Sequence, residues 1–145
     1  DACIVWTHRD PYESIGSYSS MMSLNWRLMY GRFDPKEVGA HIQERFLNGI
    51  DRALEVRERV GEDNFYDVDF VKLCEDPTGV VDGITEHFGL PTIEHQGVHD
   101  YLGKKRQDAR GKHRYDAERY GLDRDSIYES YQSYIERFNI PVRRN

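Results

Sequence analysis

The chain has 145 residues, enough for one domain with a real core, and is polar for an α/β domain: 38% hydrophobic, 32% charged, mean hydropathy −0.80. A formal net charge of −6 argues against nonspecific nucleic-acid binding, and no apolar run is long enough to span a membrane. Cys3 and Cys74 lie in apolar segments at no metal or redox spacing, which predicts two reduced, buried thiols in a cytoplasmic protein.

In chain order, residues 2–6 are a short apolar run ended by polar residues, which predicts a buried strand of a parallel sheet covered on both faces. Asp10-Pro11 is a helix start, with the Asp on the exposed N–H groups and the Pro in the first turn. That helix is expected to run past Met22, Trp26 and Met29 to about Tyr30. Asp34-Pro35 repeats the signal and opens a long amphipathic helix with Val38, Ile42, Phe46, Ile50, Ala53 and Leu54 on one face, stopped by Gly61. Residues 65–70 alternate weakly and predict a second strand. Asp76-Pro77-Thr78 is a third helix start, followed by Val80, Val81, Ile84 and Phe88, with Gly89 as the stop. A short helix is expected over 93–102, a basic glycine-bearing loop over 103–116, and a last helix over 125–138. Two strands separated by helices predict an α/β architecture. Two strands are too few for a stable sheet, so the rest is expected from outside this sequence, which opens on an apolar strand without a Met.

In open parallel sheets, ligands bind beyond the carboxyl ends of the strands, where free helix N–H groups and the helix dipole favour phosphate or sulfate. Arg9 stands at such a junction and can make a forked contact to phosphate oxygens. Ser17 follows eight residues later, about two turns into the helix. Between Lys104 and Arg114, six basic residues face one acid, Asp108. Within that segment Arg110 and Lys112 flank Gly111, and could neutralise what Arg9 alone leaves of a phosphate while Gly111 lets backbone N–H groups approach. Lys104, Lys105 and Arg106 read as solvated charge. Residue types alone leave open an ordinary surface ion pair at Arg9 and a solvated loop around Gly111.

"VWTHRDPYESIGS", residues 5–17, resembles the 3′-phosphate-binding motif of the PAPS-dependent sulfotransferases, a family related in fold to P-loop kinases. Two further stretches resemble the same family in the right order: "FVKLCEDPTGVVDGITEHFGLP", residues 70–91, and "RGKHRY", residues 110–115, a late basic loop. The ending "YGLDRDSIYESYQSYIERFNIP" is similar to the C-terminal helix of a bacterial, mycobacterial-type branch, so the resemblance covers nearly the whole chain. It implies a P-loop-NTPase-like three-layer α/β fold with a parallel sheet, of which residues 1–145 form the helix-rich C-terminal portion of a single domain. It also implies sulfuryl transfer from 3′-phosphoadenosine-5′-phosphosulfate (PAPS) to a small-molecule, lipid or carbohydrate hydroxyl acceptor, releasing adenosine 3′,5′-bisphosphate (PAP) without a metal. Arg9 and Ser17 map to the 3′-phosphate ligands, with Arg110, Gly111 and Lys112 closing over the same group. The family's 5′-phosphosulfate loop and catalytic base have no match and are expected upstream, so no catalytic residue is assigned here. Phe70 stands where many members have Tyr, with Val71 and Lys72 where they have acids, and no polar role is carried onto these positions.

Other candidates read more simply. His95 and His99 at i, i+4 lack the Glu of a zinc-protease helix and a third ligand, and read as helix surface. His8 reads as a turn histidine, Asp67 and Asp69 as structural acids on one side of a strand, and Tyr128, Tyr131 and Tyr134 as a semi-buried helix face. Trp6 reads as strand core, while Trp26, Met21, Met22 and Met29 suit either core or an acceptor pocket. Two other functions fit: an ATP-using P-loop kinase relative, or a non-catalytic helical module, which requires an exposed Val38/Ile42/Phe46 stripe.

Overall fold

The structure is a computed structural model that describes residues 2–107 and 116–143, with residues 104–107 as backbone. The elements are β1 (Ile4–His8), α1 (Pro11–Tyr30), α2 (Pro35–Val60), β2 (Phe65–Asp69), α3 (Phe70–Glu75), α4 (Pro77–His87), α5 (His95–Gln107), α6 (Arg124–Ser130) and α7 (Gln132–Arg137). One compact unit contains β1, β2, α3, α4 and α5; the other contains α1, α2, α6 and α7.

In the first unit β1 and β2 pair in parallel, Ile4 opposite Phe65 and His8 opposite Asp69. This pairing carries β1 two residues beyond the predicted 2–6, because the ladder with β2 continues through Thr7 and His8. The expectation of a buried, doubly covered strand is not met among the described residues: Ile4 and Val5 are exposed and only His8 is buried. Cys3 and Cys74 are likewise exposed rather than buried, since neither the start of β1 nor α3 is covered. Asp69 ends β2 by capping α3, accepting from Val71 N at 2.8 Å, and so turns the expected strand residue Phe70 into a helix start. Asp76 caps α4 by accepting from Gly79 N at 2.9 Å and Thr78 Oγ1 at 3.0 Å. Those two bonds, the Gly79 amide foremost, hold its carboxyl below the usual carboxylate range. Gly83 lets α4 approach β2: a Cβ there would collide with the Tyr66 hydroxyl. Gly89, at φ 60°, stops α4 as expected. His95 opens α5 and pairs with Asp82 at 2.8 Å, so its imidazole is engaged by a carboxylate on α4.

The second unit holds most of the buried apolar side chains. Ile15, Val38 and Ile127 are fully buried, each stabilising by about 1.5–3 kcal/mol, together with Ile42, Leu122, Tyr131 and Ile140. Burial of Val38 and Ile42 removes the exposed stripe that a helical interaction module requires. Gly39 sits between them because the Tyr120 carbonyl occupies the space of a Cβ. Further along α2, Phe46 is half-buried with its ring 5.0 Å from that of Tyr18. Arg57, unexpectedly, is buried with its guanidinium 5.4 Å from the Phe138 ring centre. The predicted last helix is divided at Tyr131, whose ring is buried and whose hydroxyl donates to Gln43 O at 2.8 Å. Tyr128, Tyr131 and Tyr134 are buried outright, a stronger version of the semi-buried face read from spacing.

Candidate anion site at the start of α1

The sequence Arg9-Asp10-Pro11 builds the start of α1 by local chemistry. Asp10 is the N-cap: its Oδ1 accepts from Tyr12 N at 2.8 Å and Glu13 N at 3.2 Å, and its carbonyl accepts from Ser14 N at 3.0 Å. Pro11 fills the first helical position, where no amide donor is needed. The cap changes one expectation. The amides of Tyr12, Glu13 and Ser14 are already used by Asp10, so the first turn of α1 offers none of these three to an anion.

Asp10 is itself buried, and its other oxygen explains how. Oδ2 accepts from Tyr128 OH at 2.7 Å and from Arg143 N at 3.4 Å, joining α1 to α6 and to the segment after α7. Burial first, then the bond to Asp10, raises the Tyr128 phenol above its ordinary range, so it stays a donor at neutral pH. Arg124 covers the Tyr12 ring at 4.8 Å, and an open cavity of about 400 Å³ borders Asp10, Tyr12, Arg124 and Tyr128.

Arg9 is about one-third exposed, and its Nη2 donates to Glu13 Oε2 at 2.9 Å. Oε1 of the same carboxylate lies 3.5 Å from Arg143 Nη1. Ser17, half-buried, is one helical turn beyond Glu13, at the i, i+4 spacing that puts both on one face. Glu13 and Ser17 therefore share one face of α1, and Arg9, which precedes the cap, reaches the first of them through its ion pair. Glu13 was not foreseen, although its position four residues after Arg9 was a legible signal. The Tyr128 and Arg143 contacts had none, lying 118 and 133 residues from Asp10 in sequence. Arg110, Gly111 and Lys112 lie outside the described residues.

His8, expected in a turn, closes β1 and is buried, with its Nε2 donating to Asp67 Oδ1 at 2.8 Å and its ring 5.1 Å from Trp6. Asp67 is thus a partner of His8 and Asp69 a helix cap, which gives each acid a structural task. Among the described residues no three His, Cys, Asp or Glu side chains gather as metal ligands, and no helix is long and apolar enough to cross a membrane. Met21 and Met29 are exposed; Met22, Trp6 and Trp26 are half-buried, Trp26 stacking edgewise on Tyr30 at 6.1 Å.

The family model described as "Sulfotransferase family" matches residues 1–94. The structure is similar to the crystal structure of sulfotransferase STF9 from Mycobacterium avium, with a TM-score of 0.80 at 26% identity, covering 95% of this chain and 36% of that one. It is also similar to sulfotransferase STF1 from Mycobacterium tuberculosis H37Rv, with a TM-score of 0.69 at 27% identity, covering 92% of this chain and 34% of that one. This chain therefore spans about a third of the length of those enzymes. No curated protein matches it significantly.

Proposed function

Because the chain belongs to the sulfotransferase family, we propose that residues 1–145 are the C-terminal portion of a single sulfotransferase domain and anchor the 3′-phosphate of its sulfuryl donor. Supporting this assignment is the start of α1, fixed by Asp10: Arg9 directly precedes that cap and is tied to Glu13 in the first turn, and Ser17 follows one turn later on the same face as Glu13. The two side chains fit a phosphate monoester. The guanidinium offers a forked pair of N–H donors, the hydroxyl offers one more, and no helix amide is required. The resemblance of residues 110–115 adds Arg110, Gly111 and Lys112 as further contacts to the same group.

The donor, PAPS, supplies an activated sulfuryl group, and PAP is the product once that group has passed to a hydroxyl acceptor. This part of the domain contributes position and charge. Holding the 3′ end fixes the far end of the nucleotide, so that its sulfuryl end is presented in one orientation to the acceptor. Asp10, held by Tyr128, sets the direction in which Arg9 leaves the helix start, and does no chemistry. The exposed free thiols Cys3 and Cys74 fit a reducing, cytoplasmic setting.

Calorimetric titration of PAP into the full-length protein tests the assignment. Arg9→Ala is expected to weaken binding by about ten- to a hundredfold, the worth of about 1.5–3 kcal/mol for hydrogen bonds to a charged group. Unchanged affinity would refute it. ATP is the comparison ligand: a preference for ATP over PAP would instead favour a kinase relative.

A further inference from the structure

Arg9 is already engaged by an anion from its own helix. Its Nη2 meets Glu13 Oε2 at 2.9 Å, while the other oxygen of Glu13 lies 3.5 Å from Arg143 Nη1. Ser17 lies one turn beyond Glu13 on the same face of α1. The Glu13 carboxylate therefore occupies a face of the Arg9 guanidinium that a phosphate bound there would need. A carboxylate and a phosphate at one guanidinium repel each other, and the repulsion is greatest where water is partly excluded. Glu13 is only about one-quarter exposed, so this repulsion is not fully screened. The carboxylate also has a cation to move toward, because Arg143 is highly exposed and free to follow it.

Resting on the 3′-phosphate reading of Arg9 and Ser17, we propose that Glu13 is a built-in competitor for the anion, and so sets the affinity of the site. It holds Arg9 when no phosphate is bound. When one arrives, the phosphate takes the guanidinium and the carboxylate turns to Arg143. A phosphate monoester carries nearly two charges and three acceptor oxygens against one charge and two oxygens for Glu13, so the phosphate wins the exchange. The competition lowers the affinity for every ligand carrying that group, the bisphosphate product included. Its use is in turnover, where a product bound too tightly leaves slowly.

The test is a set of calorimetric titrations of PAP into the full-length protein as wild type, Glu13→Gln, Glu13→Ala, Arg143→Ala and the Glu13→Gln/Arg143→Ala pair. Adenosine 5′-phosphate, which lacks the 3′ group, is the reference ligand. Both Glu13 variants are expected to bind PAP roughly three- to tenfold more tightly, the scale of a partly exposed ion pair plus the relieved repulsion. Arg143→Ala is expected to weaken PAP binding about two- to threefold, and to lose that effect when Glu13 is already Gln. Adenosine 5′-phosphate affinity should not respond to Glu13. Equal or weaker PAP binding in both Glu13 variants overturns the competitor role, as does an equal gain for adenosine 5′-phosphate. Arg9→Ala separates the two levels. If it binds PAP like wild type, the 3′-phosphate reading itself has failed. If it loses PAP while the Glu13 variants gain nothing, only the competitor has failed.

Discussion

Replacing Tyr128 by Phe removes one oxygen atom and isolates the contact that joins α6 to the start of α1. That hydroxyl donates to Asp10 Oδ2 at 2.7 Å between two buried residues, and a second donor to this oxygen among the described residues, Arg143 N, is at 3.4 Å. A hydrogen bond to a charged acceptor is worth about 1.5–3 kcal/mol. Losing a buried hydroxyl lowers the desolvation cost on the tyrosine side, and the ring still packs edge-on to Tyr12 at 6.5 Å. A net loss of about 1–2.5 kcal/mol follows. With a urea m-value of about 2 kcal/mol/M, that loss lowers the unfolding midpoint by about 0.5–1.2 M. Urea titrations of wild type, Tyr128→Phe, Asp10→Ala and the double variant separate this bond from the rest of each side chain. Asp10→Ala also removes the α1 cap, worth about 0.5–2 kcal/mol, but that loss occurs on both sides of the cycle and cancels. The coupling expected is about 1–2 kcal/mol. An unchanged midpoint in Tyr128→Phe, or additive losses within about 0.3 kcal/mol, would refute the claim that α6 fixes the start of α1.

Gly83→Ala forces a methyl into the Tyr66 hydroxyl and should destabilise by about 1–2 kcal/mol after the gain in helix propensity. Adding Tyr66→Phe should restore part of that stability in chemical denaturation, because it removes the colliding oxygen and leaves a ring carbon 3.2 Å from the new methyl, a tight contact that a small shift of the ring relieves; no rescue at all would mean that another contact sets the approach of α4 to β2. Asp76 has its pKa lowered in the folded state by the Gly79 amide and Thr78 hydroxyl, so its capping of α4 contributes above the unfolded pKa and fades as pH falls through the lowered folded value. Thr78→Val should raise that pKa in an NMR titration, and an unmoved titration would show that the hydroxyl bond does not stabilise the carboxylate.

The helix starts were legible because capping is local. Asp10-Pro11, Asp34-Pro35 and Asp76-Pro77 each open a helix where read, since the carboxylate, the proline and the amides they serve lie within four residues. The stop at Gly89 and the buried end of the Val38/Ile42 stripe rest on equally short-range patterns. Phe70 was misread because alternation continues through it, while the Asp69 cap that makes it helical is a matter of side-chain placement.

The α/β class with a parallel strand pair was legible in the sequence through periodicity and caps, whereas Arg9 and Ser17 were singled out as phosphate ligands only by the family resemblance of residues 5–17. What those residues meet was decided in three dimensions. The Tyr128–Asp10 bond, the Tyr66 approach to Gly83, the Arg57–Phe138 contact and the burial of His8 against Asp67 all join residues remote in the chain, which no local pattern encodes. The same holds for exposure. Ile4, Val5 and Cys3 are apolar enough to read as core, but burial depends on what packs over a strand, and that is a property of neighbours rather than of the strand's own residues.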